Sequence, residues 1–455
     1  MKGKKINANL IIYILGISVL LMLNNLCNLS IKGILFLYIC AYLVFLISCF
    51  NKFKSIKLLV CSSEFIYLSV FFIYSLPASF QFIFDNYVPR ISYFLINYSI
   101  ILQTLKLYFN IFLVTLFLIC LFGGIKNISE YNVKEQYVKK INIGLDVFDF
   151  ISLFVVIYFY YLHLKSGLNL SSTYFMTLRM SIQSDIGNLN SYIYLYMISY
   201  CFTNFYIIIN DNRTKNKLQN IKVLYFVIIS ILFWGISLLT DRRNFVNLLL
   251  LILLCSINKI KKIKFKNVFS IILCVLILLS ISYFRSNTLS RKFNDIMFLS
   301  TGEFVLTNYV SSYYINHNFD KYYGSTYVFD TFTSFIPRSL YKNKPELLSK
   351  RFKKQTGINV AYAYNPVAEG IVNFGTIGAI FVVPCVLLFL SNLAYFFGKK
   401  NLIFFYIVCG ESINFCRGIF SVSMFSIVFI SIFSYLILWF MRCRYLERNM
   451  QYAVN

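Results

Sequence analysis

The sequence predicts an all-α, polytopic transmembrane bundle of about twelve helices with one large outer loop. Three observations carry that expectation. Of the 455 residues, 59% are hydrophobic and only 13% charged, with a mean hydropathy of +0.69, well beyond the roughly half-apolar, quarter-charged mix of a soluble domain. The apolar residues fall in runs long enough to cross ~30 Å of hydrocarbon at about 1.5 Å per helical residue. Lys and Arg are divided unevenly between the segments that join these runs.

The runs begin near residues 8, 32, 58, 104, 145, 190, 221, 243, 267, 367, 401 and 419. The first follows "MKGKK" and lacks a small-x-small cleavage site, so it is expected to stay as a helix. Residues 80–102 carry Asp85, Pro89 and Arg90 and suit an interfacial or re-entrant segment better than a span. The chain therefore divides into residues 1–284 with nine helices, an extracytoplasmic loop at 285–365, and residues 366–455 with three more helices. Pro384 is expected to kink the tenth near its middle. No internal repeat or low-complexity tract interrupts this pattern.

Short segments on the side of the N-terminus hold 24 Lys and Arg, and those on the opposite side hold 8, the long loop adding 11. This positive-inside bias puts both termini in the cytoplasm and the loop outside. The net charge of +26 lies beside apolar runs, where it faces anionic headgroups, and nucleic acid is not expected as a partner. The 12 cysteines contain no CxxC pair and read as small apolar filler. Phosphate-loop, HExxH, DxD-like and GxSxG patterns are missing from the sequence, which removes the motif support for nucleotide, zinc and serine hydrolase chemistry.

Charges at membrane depth are costly and mark candidate sites. "LLTDRRNFV" sets Asp241, Arg242 and Arg243 between two runs with almost no loop. Two guanidiniums beside a carboxylate suit a phosphate or diphosphate; a snorkelling turn with an Asp cap is the alternative. Arg417 sits between two further runs with only Gly418 to help a turn, and Glu411 would need an internal partner. "FIPRSLYKNKPELLSKRFKK" gathers Arg338, Lys342, Lys344, Lys350, Arg351, Lys353 and Lys354; it is either a solvated face or, with Pro337 and Pro345 setting a turn, a shaped basic site. In "NPVAEGIVNFGTIG", Glu369 follows Pro366 in a first helical turn, where a carboxylate favours the helix start. Of the two histidines, His163 reads as structural, and His317 in the loop is a possible general base.

Taken in order, "LLTDRRNFV", "FIPRSLYKNKP" and "NPVAEGIVNFGTIG" resemble the O-antigen polymerase family, the oligosaccharide repeat-unit polymerases of bacterial envelopes. The resemblance covers most of the chain in topology and these three stretches in sequence. It implies a glycosyltransferase-C-like fold in the bacterial cytoplasmic (inner) membrane. It also implies transfer of a growing glycan from undecaprenyl diphosphate to the non-reducing end of a new lipid-linked repeat unit. Arg242, Arg243 and Arg338, with Lys344 and Arg417 behind them, would stabilise the leaving diphosphate without metal or other cofactor. Glu369, or alternatively His317, would receive the proton of the attacking hydroxyl. The implied partners are the lipid-linked oligosaccharide, membrane lipid and a chain-length regulator protein; the product is O-antigen or capsule. An O-antigen ligase and a flippase or transporter of lipid-linked oligosaccharide are the alternatives.

Overall fold

The structure is a computed structural model that describes residues 16–21, 23–25, 28–84, 97–128, 145–165, 189–210, 217–240, 242–259, 305, 307–337, 340–357 and 364–454. Among the described residues every regular element is helical. Six helices are long and apolar enough to cross a membrane: Ile31–Phe53, Ser63–Phe80, Tyr98–Leu121, Ser191–Ile209, Pro366–Gly398 and Phe420–Arg442. Shorter apolar helices at Gly16–Asn25, Val147–Tyr161, Asn220–Gly235, Asn244–Ile257 and Leu402–Cys416 fall on five more of the predicted runs. The run beginning near residue 267 and most of the segment expected to be interfacial, residues 85–96, lie outside the described residues.

The chain forms two compact units, each assembled from separate stretches: Met1–Tyr131, Thr301–Phe396 and Glu411–Phe425 in the first, Asn132–Ser300, Phe397–Gly410 and Ser426–Asn455 in the second. Spans remote in sequence pack together, so the units cut across the predicted divisions at 284 and 365.

In the first unit, α1 (Ile31–Phe53) starts on Ser30, whose side chain accepts from Gly33 N, and stops at Lys54 in the left-handed conformation, φ 55°. A short α2 (Ile56–Val60) leads to α3 (Ser63–Ser75), and Pro77 opens α4 (Pro77–Phe84) at the first helical position. Next comes α5 (Tyr98–Leu121), capped by Asn97 Oδ1 at 3.1 Å from Ile100 N. Tyr38 joins these helices. Its ring meets Phe72 edge-on at 4.9 Å and Phe109 at 5.1 Å, and its hydroxyl accepts from Ser75 Oγ at 3.0 Å.

The second unit contains α6 (Val147–Lys165), α7 (Leu189–Asn210), α8 (Lys217–Thr240) and α9 (Arg242–Lys259). Asp146 caps α6 by accepting from Phe148 N at 2.9 Å, while Asp149 returns a carboxylate oxygen to Asp146 N at 2.7 Å. This reciprocal arrangement is a capping box. Lys222 of α8 completes it, 2.6 Å from Asp146 Oδ2 and 3.3 Å from Asp149 Oδ2, with all three side chains buried. Tyr200 of α7 donates to Asp149 Oδ1 at 2.6 Å, so donors from α6, α7 and α8 surround the two carboxylates.

Of the predicted outer loop, residues 285–304 lie outside the described residues, and the described part from residue 305 onward belongs to the first unit. Residues 307–316 form a helix, α10, in which Thr307, Asn308, Ser311 and Ser312 are buried. Ser312 Oγ lies 2.8 Å from Thr104 Oγ1 and Ser311 Oγ 3.3 Å from the Tyr108 hydroxyl, both on α5. Small polar residues allow close helix contact and bond across it in an apolar setting. Two loop helices follow, α11 (Ser325–Ser334) and α12 (Leu348–Thr356).

The long helix α13 (Pro366–Gly398) modifies the expected kink. Its non-helical residue is Gly375, φ 76° and ψ 179°, nine residues before Pro384, so a break that was not expected is added to the expected proline position. That combination of angles is reached essentially only by glycine. The run near 401 is also corrected, because it is broken into α14 (Leu402–Gly410) and α15 (Ser412–Cys416) at Glu411. Nine residues of α14 reach only about 14 Å, half of the hydrocarbon thickness. Gly418 follows Arg417, and a Cβ there would lie 2.6 Å from Asn414 O, so the tight turn needs glycine. The last helix, α16 (Phe420–Val454), starts directly after it.

Candidate functional site

The break at Gly375 creates the site's framework. A helix interrupted there cannot use the carbonyls of Val372 and Asn373 in its own ladder. Both are taken by the loop: Tyr322 N donates to Val372 O and Tyr323 N to Asn373 O, each at 3.1 Å. The loop turns immediately through Tyr323, φ 48°, and Gly324, φ 84°, and α11 begins. A left-handed Tyr costs about 1 kcal/mol, offset by the two interchain-like bonds it enables.

Asn373 and Glu369, one helical turn apart, anchor the start of α11. Asn373 Oδ1 accepts from Gly324 N at 2.9 Å, and its amide nitrogen donates to Thr326 Oγ1 and to Glu369 O, each at 2.7 Å. Thr326 Oγ1 donates its own hydrogen bond to Glu369 Oε1 at 2.9 Å. Glu369 Oε2 accepts from Phe420 N, the first residue of α16, at 2.7 Å. Glu369 is thus fully buried and caps a helix 51 residues away, while its own helix is capped by Asn365 Oδ1 at 2.7 Å from Ala368 N. The sequence reading offered Glu369 as a cap of its own helix or as a base; the structure places it at the junction of α11, α13 and α16, with both oxygens engaged.

Lys344 closes the other end of α11. Its ammonium donates to Ser334 O at 3.0 Å and Ile336 O at 2.9 Å, where a cation complements the helix C-terminus. Arg351 of α12 reaches back to Asp330 Oδ2 at 2.7 Å and stands over the Tyr322 ring, 5.1 Å from its centroid. Burial raises the Asp330 carboxyl above the usual carboxylate range, against the pull of the Arg351 guanidinium.

His317 ends α10, half-buried, its ring stacked on Tyr313 at 4.0 Å. His317 Nδ1 lies 3.0 Å from Tyr313 O. A carbonyl can only accept, so Nδ1 is the donor in this contact. Arg417 is half-buried at the C-cap of α15, its N–H bonded to Ile413 O at 3.1 Å.

Glu369, His317, Lys344 and Arg417 therefore all belong to the first unit. Arg242 and Arg243 open α9 in the second unit; their side chains, Asp241 and Arg338 lie outside the described residues. Sequence reasoning missed Thr326, Asn373 and Asp330. Asn373 was within reach, because Glu369 and Asn373 stand four apart in an otherwise apolar stretch and so share a helix face. Among the described residues no three of His, Cys, Asp and Glu gather in a way that could hold a metal ion. No protein-family model, curated protein or solved structure matches this chain.

Proposed function

We propose that the chain is a membrane glycosyltransferase that polymerises undecaprenyl-diphosphate-linked oligosaccharide repeat units into a surface polysaccharide. In this reading it is a glycosyltransferase-C-like bundle of about twelve spans in the bacterial inner membrane, with cytoplasmic termini and an outward-facing site. One observation carries the reading. Two of the three stretches that resemble the polymerase family act on the same loop helix: Glu369 and Asn373 hold the start of α11, and Lys344 holds its end.

The reaction joins an acceptor hydroxyl to the anomeric carbon of the growing glycan as the bond to the lipid diphosphate breaks. The family resemblance gives Arg242, Arg243 and Arg338 the role of neutralising the departing diphosphate, an electrostatic role that needs no metal. Lys344 and Glu369 act as positioning residues in this scheme, because their hydrogen bonds to α11 and α16 already occupy them. In this scheme the hydroxyl proton passes to Nε2 of His317, whose Nδ1 donates to the Tyr313 carbonyl.

The test uses purified protein in vesicles with a lipid-linked repeat unit, read as a ladder of product lengths on a gel. Polymerase activity gives a ladder that Arg338→Ala and Arg242→Ala abolish in correctly inserted protein. Full elongation by both variants removes the diphosphate clamp. Transfer of preformed glycan to a different acceptor without lengthening replaces this reading with a ligase, and movement across the bilayer without any change of length replaces it with a flippase.

A further inference from the structure

Among the described residues, none covers the apolar side of α11. Val328, Phe329 and Phe332 are 60%, 49% and 72% exposed, and at about 100° per residue they share one face of the helix. Ile336 and Leu340 continue the stripe beyond the helix end and are also exposed. A contiguous apolar patch of this kind marks an interaction surface. The opposite face carries Thr326 and Asp330, which bind α13 and α12 through Glu369 and Arg351.

Ring contacts fix the depth of the helix. Tyr327 lies parallel to Phe374 of α13 with centroids 6.5 Å apart and meets Phe420 of α16 at 5.7 Å. Phe335, just past α11, meets Phe425 at 5.7 Å. Phe374, Phe420 and Phe425 all belong to helices long and apolar enough to cross a membrane. Phe425 is five residues into its helix, about 7 Å along the axis, so α11 lies beside the first turns of that span rather than above them. Ile377 and Phe381 of α13, 74% and 60% exposed, extend the uncovered apolar surface from α11 along the span itself. On the other side, α12 is tied to α11 by the Arg351–Asp330 pair and leaves Lys350 and Lys354 exposed.

We propose that α11 is a membrane-interface helix whose Val328, Phe329 and Phe332 face lies among the acyl chains of the adjoining leaflet, with basic α12 at the level of the anionic headgroups. An apolar stripe continuous with a spanning helix, backed by exposed lysines, is complementary to phospholipid in both hydrocarbon and charge. The inference does not depend on which reaction the chain catalyses.

The experiment places a single indole in the full chain. Trp234 and Trp439 are its two tryptophans; both are replaced by Phe, and Phe332→Trp or, separately, Phe329→Trp is added. The protein is reconstituted in phosphatidylcholine and phosphatidylglycerol vesicles. Emission at short wavelength that is lost when the acyl chains carry bromine, and is untouched by aqueous iodide, supports the proposal. Quenching by iodide and not by brominated lipid overturns it, and so does resistance to both, which would mean protein cover, such as a second copy. The unmodified chain supplies an independent readout: an acyl-chain diazirine lipid should label peptides from residues 325–340, and absence of that adduct also overturns the proposal.

Discussion

Asn373 carries the docking of the loop, and its truncation has a calculable cost. Asn373→Ala removes the acceptor of Gly324 N and the donor to Thr326 Oγ1. Each lost bond is worth about 1 kcal/mol net, and leaving the Gly324 N–H dry adds about 1–3 kcal/mol. The backbone bonds from Tyr322 and Tyr323 do not involve the side chain and remain. Undocking of α11 therefore becomes easier by about 3–5 kcal/mol, which is roughly a 150- to 5,000-fold rise in the open population. Amide hydrogen exchange in detergent reads this directly, since exchange through local opening scales with that population. Amides of residues 325–334 should exchange faster by that factor while those of α1 and α5 keep their wild-type rates. Unchanged protection in α11 would refute the reasoning, and an equal loss in α1 and α5 would show that Asn373 supports the whole unit rather than the loop.

Three further outcomes test other parts of the argument. Because Asp330 holds its proton to higher pH in the folded chain than in the unfolded one, its contribution to stability is complete below the unfolded value of about 3.9 and is lost as pH rises through the folded value. Asp330→Asn should remove that step from the pH dependence of thermal unfolding, and Arg351→Met should move it upward; a step unaltered in Asp330→Asn assigns it elsewhere. Lys222→Met leaves two buried carboxylates facing each other without their cation, a loss of about 3–5 kcal/mol that Asp146→Asn added to it should partly restore in a thermal melt. Gly410→Ala brings a Cβ to 2.7 Å from Leu251 Cγ, and the overpacking between α14 and α9 should cost about 1–3 kcal/mol, visible as a lowered melting temperature.

Hydropathy made the helical class and most of the run positions legible, because burial in hydrocarbon needs length and apolarity and little else. What it misjudged were places where polar groups are satisfied at a distance. Asp146, Asp149 and Lys222 each sit at the end of an apolar run, and Lys222 entered the positive-inside tally, although all three are buried against one another. The D-x-x-D spacing before an apolar run is a capping-box signal that would have found the pair. In α10, Thr307, Asn308, Ser311 and Ser312 repeat at helical spacing, and the stripe marks the face packed on α5. Pro384 drew the expected kink because proline breaks the ladder visibly in a sequence. Gly375 breaks it through a positive φ, which no residue name reveals by itself.

The kink and the loop are one event. In surroundings without water, each backbone group must be satisfied by the protein, and the dihedrals at Gly375 release two carbonyls from the ladder of α13. Tyr322 and Tyr323 fill them, and this brings Gly324 and Thr326 to Asn373 and Glu369. Undocking α11 would therefore strip two carbonyls, one amide and one carboxylate oxygen together, and a straightened α13 would have no acceptors left for the loop. Partial opening along this edge is costly for that reason. Under the proposed function, a glycan-lipid reaching α11 would either break the whole set at once or pass along the Val328, Phe329 and Phe332 face, which stays exposed among the described residues. The second route would leave the capping of α16 by Glu369 intact, with the carboxylate still holding the three helices together.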